Sequence, residues 1–233
     1  MLKTRIYGLA IALVAVAWVV MVGGVNAYDA FWACNGPCSI WQDVIRKSPR
    51  KPRAYINLGD QLAQRGDAAE AAVYYERALQ LAQDRPPWEQ REVQLIAGAS
   101  LGSIYQQLGR YDEASAILVK TWNHNPGTPA VAQNLSYIAL LYGNLALQDF
   151  KATRNPRGLA EMVRQAEQAI AVLDVAIEAV NAKQYRFENT QDLFWNRGEA
   201  YRLLGRCEEA RENYATAVKL WPDVGTAPPC PIP

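Results

Sequence analysis

One spacing, repeated three times, constrains this chain more than any other feature. It begins with Tyr55, Leu58, Gly59, Leu62, Gly66, Ala71, Tyr75 and Ala78. It returns as Gly98, Leu101, Gly102, Tyr105, Gly109, Ala114, Leu118, Thr121 and Pro126. It closes as Phe194, Arg197, Gly198, Tyr201, Gly205, Ala210, Tyr214, Ala217 and Pro222. Apolar residues at steps of three and four make one stripe of a helix, and a glycine directly after the stripe ends it. Each of these glycines leads into a charged turn, for example Gly109-Arg110-Tyr111-Asp112-Glu113. Acidic residues there suit the positive end of a second helix. Ala71, Ala114 and Ala210 then read as small contacts inside a helix pair, with Tyr75, Leu118 and Tyr214 behind them. Gly59, Gly102 and Gly198 fall where the first helix crosses the second closely.

The three units resemble the tetratricopeptide repeat, in which about 34 residues form two antiparallel helices. That resemblance implies an all-α solenoid whose work is protein recognition. Four helix pairs are expected over 52–222, the third irregular. Between the first two units the starts near Pro52 and Leu95 lie 43 residues apart. The surplus around Asp84-Arg85-Pro86-Pro87-Trp88-Glu89 predicts a lengthened loop and first helix. The third pair begins at Pro129 and keeps its rhythm through Ala132, Leu135, Ser136, Ala139 and Gly143. Its second helix is predicted to be delayed by 147–156 and to run from about Arg157 to Lys183. A further helical segment is expected within 28–47, in a cysteine-containing linker over 28–51, and a proline-rich tail occupies 223–233.

Ile6 to Val25 is an uncharged run of 20 residues preceded by Lys3 and Arg5. A helix of about 20 apolar residues spans a bilayer, and flanking cations keep the near side cytoplasmic. Residues 1–27 therefore read as a single membrane anchor with the repeats outside the cytoplasm, in a periplasm or lumen. The competing reading is a secretory signal cut after Ala27, since a small residue precedes the cut in such signals, giving a secreted soluble module. Without Lys3 and Arg5 the body carries 22 basic against 23 acidic residues, no footprint for nucleic acid. The basic run Arg46 to Arg53 reads as a solvated linker or a contact for anionic lipid.

Cys34, Cys38, Cys207 and Cys230 are candidates for disulfides, with three connectivities open. A thiol–disulfide activity of Cys34 and Cys38 is the rival reading. One histidine, His124, supplies no metal centre and no general base, and neither a metal nor a cofactor is expected. No catalytic constellation is present in the sequence, so the chain reads as non-enzymatic.

The repeat resemblance implies that first-helix side chains line a concave groove. These would be Arg53, Ile56, Asn57, Asp60 and Gln64, then Ser100, Ser103, Gln106 and Gln107. Gln133, Asn134 and Tyr137 follow, then Trp195, Asn196, Glu199 and Arg202. Repeats that grip a chaperone's carboxyl terminus use Lys and Asn, then Asn, then Lys and Arg. Here Ile56 and Asp60, Ser100, and Ala130 and Asn134 stand at those positions, so that clamp is absent. The expectation is a scaffold or assembly factor docking a protein client, a membrane complex being one such client.

Overall fold

Four of the described helices begin on proline, and the reason is local. Pro52, Pro87, Pro129 and Pro156 stand in the first turn, where a missing N–H costs nothing and a fixed φ already suits the helix. The computed structural model describes residues 38–183 and 188–230, which fall into two units dividing between Leu81 and Ala82. The first holds α1 (Cys38–Lys47), α2 (Pro52–Gln64) and all but the last residue of α3 (Ala68–Ala82). The second holds α4 (Pro87–Gln107), α5 (Tyr111–His124), α6 (Pro129–Thr153), α7 (Pro156–Asn181), α8 (Thr190–Leu203) and α9 (Cys207–Leu220). A 3-10 turn, Pro222–Val224, follows α9. No strand occurs among the described residues. Among them, too, no helix is long and apolar enough to cross a membrane. The run Ile6 to Val25, with Cys34, lies outside the described residues.

The helix ends obey the repeated spacing. Gly109 and Gly205 sit at φ +71 and +70, in the left-handed region that favours glycine. The N–H of Arg110 reaches back to the carbonyl of Tyr105, and that of Arg206 to Tyr201, at 2.8 and 2.9 Å. Gly109 and Gly205 donate to Gln106 and Arg202. This pair of bonds is the Schellman ending, which satisfies two otherwise orphaned carbonyls. The arginine after each glycine lies over the tyrosine five before itself, Arg110 at 4.2 Å from the Tyr105 ring and Arg206 at 4.5 Å from Tyr201. The same arginines pair with Glu113 and Glu209 in the next helix. One short segment thus ends a helix, covers its last aromatic and starts its partner.

In the first unit Tyr55, Leu58 and Leu62 of α2 are buried, as are Ala71, Tyr75 and Ala78 of α3. In the second, α7 is the central element. Leu173, Ala176 and Ile177 pack with Ala132 of α6 and Leu193 of α8. Met162, Ala166 and Ala169 pack with Ala139, Leu140 and Leu147 of α6 and with Ala200 and Leu203 of α8. Gly158 brings α7 against the α6 backbone, where an added Cβ would lie 2.7 Å from the Ala146 carbonyl.

One expectation is corrected. The connection after α3 is short, 83–86, and the surplus residues go into α4, which runs 21 residues. Residues 147–153 delay the second helix of the third pair by extending α6 to 25 residues, and α7 then runs Pro156–Asn181, close to the expected Arg157 to Lys183. The apolar stripe continues through Ala146, Leu147 and Phe150, and α7 offers it a surface, so helix persists until Arg154. There the chain reverses through a left-handed arginine, φ 57. An L-residue in that region is strained whereas glycine is not. Arg154→Gly is therefore expected to stabilise the second unit by about 0.5–1 kcal/mol, read as a raised thermal midpoint. An unchanged or lowered midpoint would show that Arg154 is held there by contacts worth more than its strain.

Candidate functional site

Within the second unit the first helices of successive pairs, α4, α6 and α8, lie side by side, and hydrogen bonds join them. Gln106 of α4 donates to the Asn134 carbonyl of α6 at 2.8 Å. Gln133 of α6 donates to Asp192 of α8 at 2.7 Å, and Asn196 of α8 to the Ser136 hydroxyl of α6 at 3.0 Å. Burial pushes the Asp192 carboxyl above its usual range, and the Gln133 bond works against that shift. Three amides expected to face a partner therefore bind one helix of the row to the next.

The acids of the expected set are also engaged, each in the same way. Asp60 follows the crossing glycine Gly59 and accepts the Tyr75 hydroxyl at 2.7 Å. Glu199 follows Gly198 and accepts the Tyr214 hydroxyl at 2.7 Å. In both cases the tyrosine ring fills the space the glycine leaves, 2.9 Å from where a Cβ would stand. Arg202 completes the second arrangement, donating to Glu199 through Nε and Nη2 at 3.0 and 2.7 Å. An acid one residue after the glycine and 15 before a tyrosine is the signal of this bond in the sequence, separate from any groove position.

Burial, then the Glu199 bond, raises the Tyr214 hydroxyl above the ordinary phenol range. A phenol protonated more firmly in the folded than the unfolded chain contributes stability below its unfolded pKa of about 10, lost as pH rises beyond it. Alkaline melting of the second unit is thus expected to steepen above about pH 10, and Tyr214→Phe to flatten that limb. Parallel curves for wild type and variant would remove Tyr214 as its source.

Ile56 is 1% exposed and belongs to the α2 core, so it does not line a groove. Trp195 is half-buried, its ring edge-on to Tyr214 at 5.0 Å between centroids. Its far edge meets the tail, where a Cβ on Gly225 would lie 3.5 Å away. The tail is pinned there because Cys207 and Cys230 are disulfide-bonded, Cα atoms 5.7 Å apart. Arg53 is exposed on α2, in the first unit. Asn57, Gln64, Ser103 and Gln107 keep side chains that bond no other described group. Tyr137, on α6, is 49% exposed.

Among the described residues no cluster of His, Cys, Asp and Glu is placed to hold a metal.

The helix pairs and their ends are those of tetratricopeptide repeats, and family models of that description match residues 62–136 and 192–223. The chain carries tetratricopeptide repeats. It is 24% identical over 184 residues to the human protein O-mannosyl-transferase TMTC1, an alignment covering 75% of this chain. The chain spans about a fifth of that relative's length (20%). Among solved structures it is similar to YrrB, described as a TPR protein with an unusual peptide-binding site. Identity there is 16%, coverage 81% of this chain and 95% of YrrB, and the TM-score 0.38. MamA is another, at 17% identity, 76% and 98% coverage and a TM-score of 0.34.

Proposed function

We propose that this chain is a non-enzymatic docking scaffold or assembly factor that holds a protein client on its first-helix row. The observation that carries this is Tyr137: a large amphipathic ring, half exposed on a row whose neighbours are locked. Because Gln106, Gln133 and Asn196 already fix α4, α6 and α8 to one another, the row needs little ordering to bind. Exposed tyrosines on such surfaces are common energetic centres of interfaces. Ser103 and Gln107 supply uncommitted polar groups on the adjoining helix α4.

On this reading residues 6–25 anchor the chain in a membrane, with its amino terminus cytoplasmic and the repeats on the far side. The Cys207–Cys230 bond supports that side, since structural disulfides persist in oxidising compartments. A tether there raises the effective concentration of the repeats towards membrane-bound clients.

Affinity purification from gently solubilised membranes tests both parts, with wild type beside a Gln107→Ala, Tyr137→Ala double variant. A protein retained by wild type and lost by the variant is expected. Identical retained sets would move the interface off this row. Chains recovered in the membrane fraction with Met1 intact support the anchor, whereas soluble chains beginning at Tyr28 would replace it with secretion.

A further inference from the structure

On the side of α6 turned away from Gln133 and Tyr137, a cleft of about 350 Å³ opens among α5, α6 and α7. Its size lies at the small end of ligand sites, which run from roughly 300 to 1,000 Å³. Leu135, Ile138 and Ala139 give it an apolar floor. The rim mixes donors, Ser115, Tyr142, Gln168 and Arg164, with two acceptors of interest. Asp112 of α5 takes the Tyr142 hydroxyl on one carboxylate oxygen at 2.6 Å, leaving the other oxygen open. Gln165 of α7 is 8% exposed, and its amide nitrogen donates to Glu161 at 2.8 Å. No described group donates to its carbonyl oxygen. A buried carbonyl without a donor costs free energy that an arriving N–H recovers. Arg164, the cation at the rim, is clasped by both Glu161 oxygens at 2.9 and 2.5 Å, so its charge is compensated. The cleft is left with an unpaired carboxylate, a donor-poor amide and an apolar floor.

We propose that this cleft seats an arginine side chain from an extended segment of a partner protein. The methylene stem would lie on Ile138 and Ala139, with the guanidinium directed to the Asp112 carboxylate and the Gln165 carbonyl. Arginine fits better than lysine because its planar fork can serve two acceptors at once, and it stacks on aromatic faces such as Tyr142. The site goes beyond the row of α4, α6 and α8, and it involves different residues of α6.

N-acetyl-arginine amide, N-acetyl-norleucine amide and N-acetyl-glutamate amide serve as probes, titrated into the full chain. The readouts are the backbone amide signals of residues 135–142 and the side-chain amide of Gln165. The arginine probe is expected to shift these signals saturably and more tightly than the other two. Asp112→Asn and Gln165→Met should each weaken it by roughly tenfold, the cost of removing a hydrogen bond to a charged group. Unchanged melting curves would show that the variants still fold. Equal binding of norleucine or glutamate, no saturable shift with arginine, or full arginine binding by both variants would each overturn the proposal. Absence of saturable arginine binding by the wild type with client capture intact would sink this site alone. Loss of client capture with arginine binding intact would sink the first-helix row alone.

Discussion

Gly102→Val is expected to destabilise the second unit by about 3 kcal/mol, at the upper end of overpacking costs, lowering its melting midpoint by roughly 6–12 °C. The cause is a single crossing. A Cβ on Gly102 would stand 2.5 Å from both Cγ and Cδ2 of Leu118, closer than van der Waals contact allows. Leu118 is fully buried and cannot swing into solvent, so α4 and α5 must separate or a rotamer must strain. Valine also adds a branch that a helix tolerates poorly. Relieving the crowding should therefore recover stability. Leu118→Ala alone should cost about 2–5 kcal/mol by opening a cavity, yet the double variant should cost at least about 1 kcal/mol less than the two singles summed. Strict additivity would show that the glycine is needed for something other than room.

Cys230→Ser is expected to cost about 3 kcal/mol, the chain-entropy value for a loop closing residues 23 apart. Part of that acts on the folded side as well. The tail after α9 is exposed over most of its length and is tied down mainly at the bond and beside Trp195. Thermal melting under non-reducing conditions checks the size of the effect. A peptide map linking Cys207 to Cys230 checks the pairing, and equal melting of wild type and variant would mean the bridge constrains little.

The helix pairs were legible because their signals are local. A stripe at steps of three and four, a glycine after it and an acidic turn beyond lie within one short stretch of chain. Gly66, Gly109 and Gly205 all take positive φ where that pattern placed them. The crossing glycines were legible for a related reason, since the residue that fills the space stands 16 positions later in the same pair. The extension of α6 was not. Leu147 and Phe150 look like the start of a loop until α7 is present to receive them.

The candidate row shows the same division. Position within the repeat marked Gln106, Gln133, Asn196 and Glu199 as facing a groove, but not whether their hydrogen-bonding capacity was free. Their partners Asn134, Asp192, Ser136 and Tyr214 are respectively 28, 59, 60 and 15 residues away in the chain. Only Tyr214 stands at a fixed offset within its own repeat, so only that bond could have been anticipated.

By itself the sequence determined the all-helical repeat, its caps and its close crossings, because each depends on backbone sterics and periodicity over a few turns. Tertiary structure alone decided which polar side chains bind neighbouring helices and which stay available, since a hydrogen bond is satisfied by whichever group packing brings within 3 Å or so. It likewise decided the return of the tail to Cys207 and the cleft beneath Tyr142, where three successive helices bring side chains as far apart as Asp112 and Gln168 together.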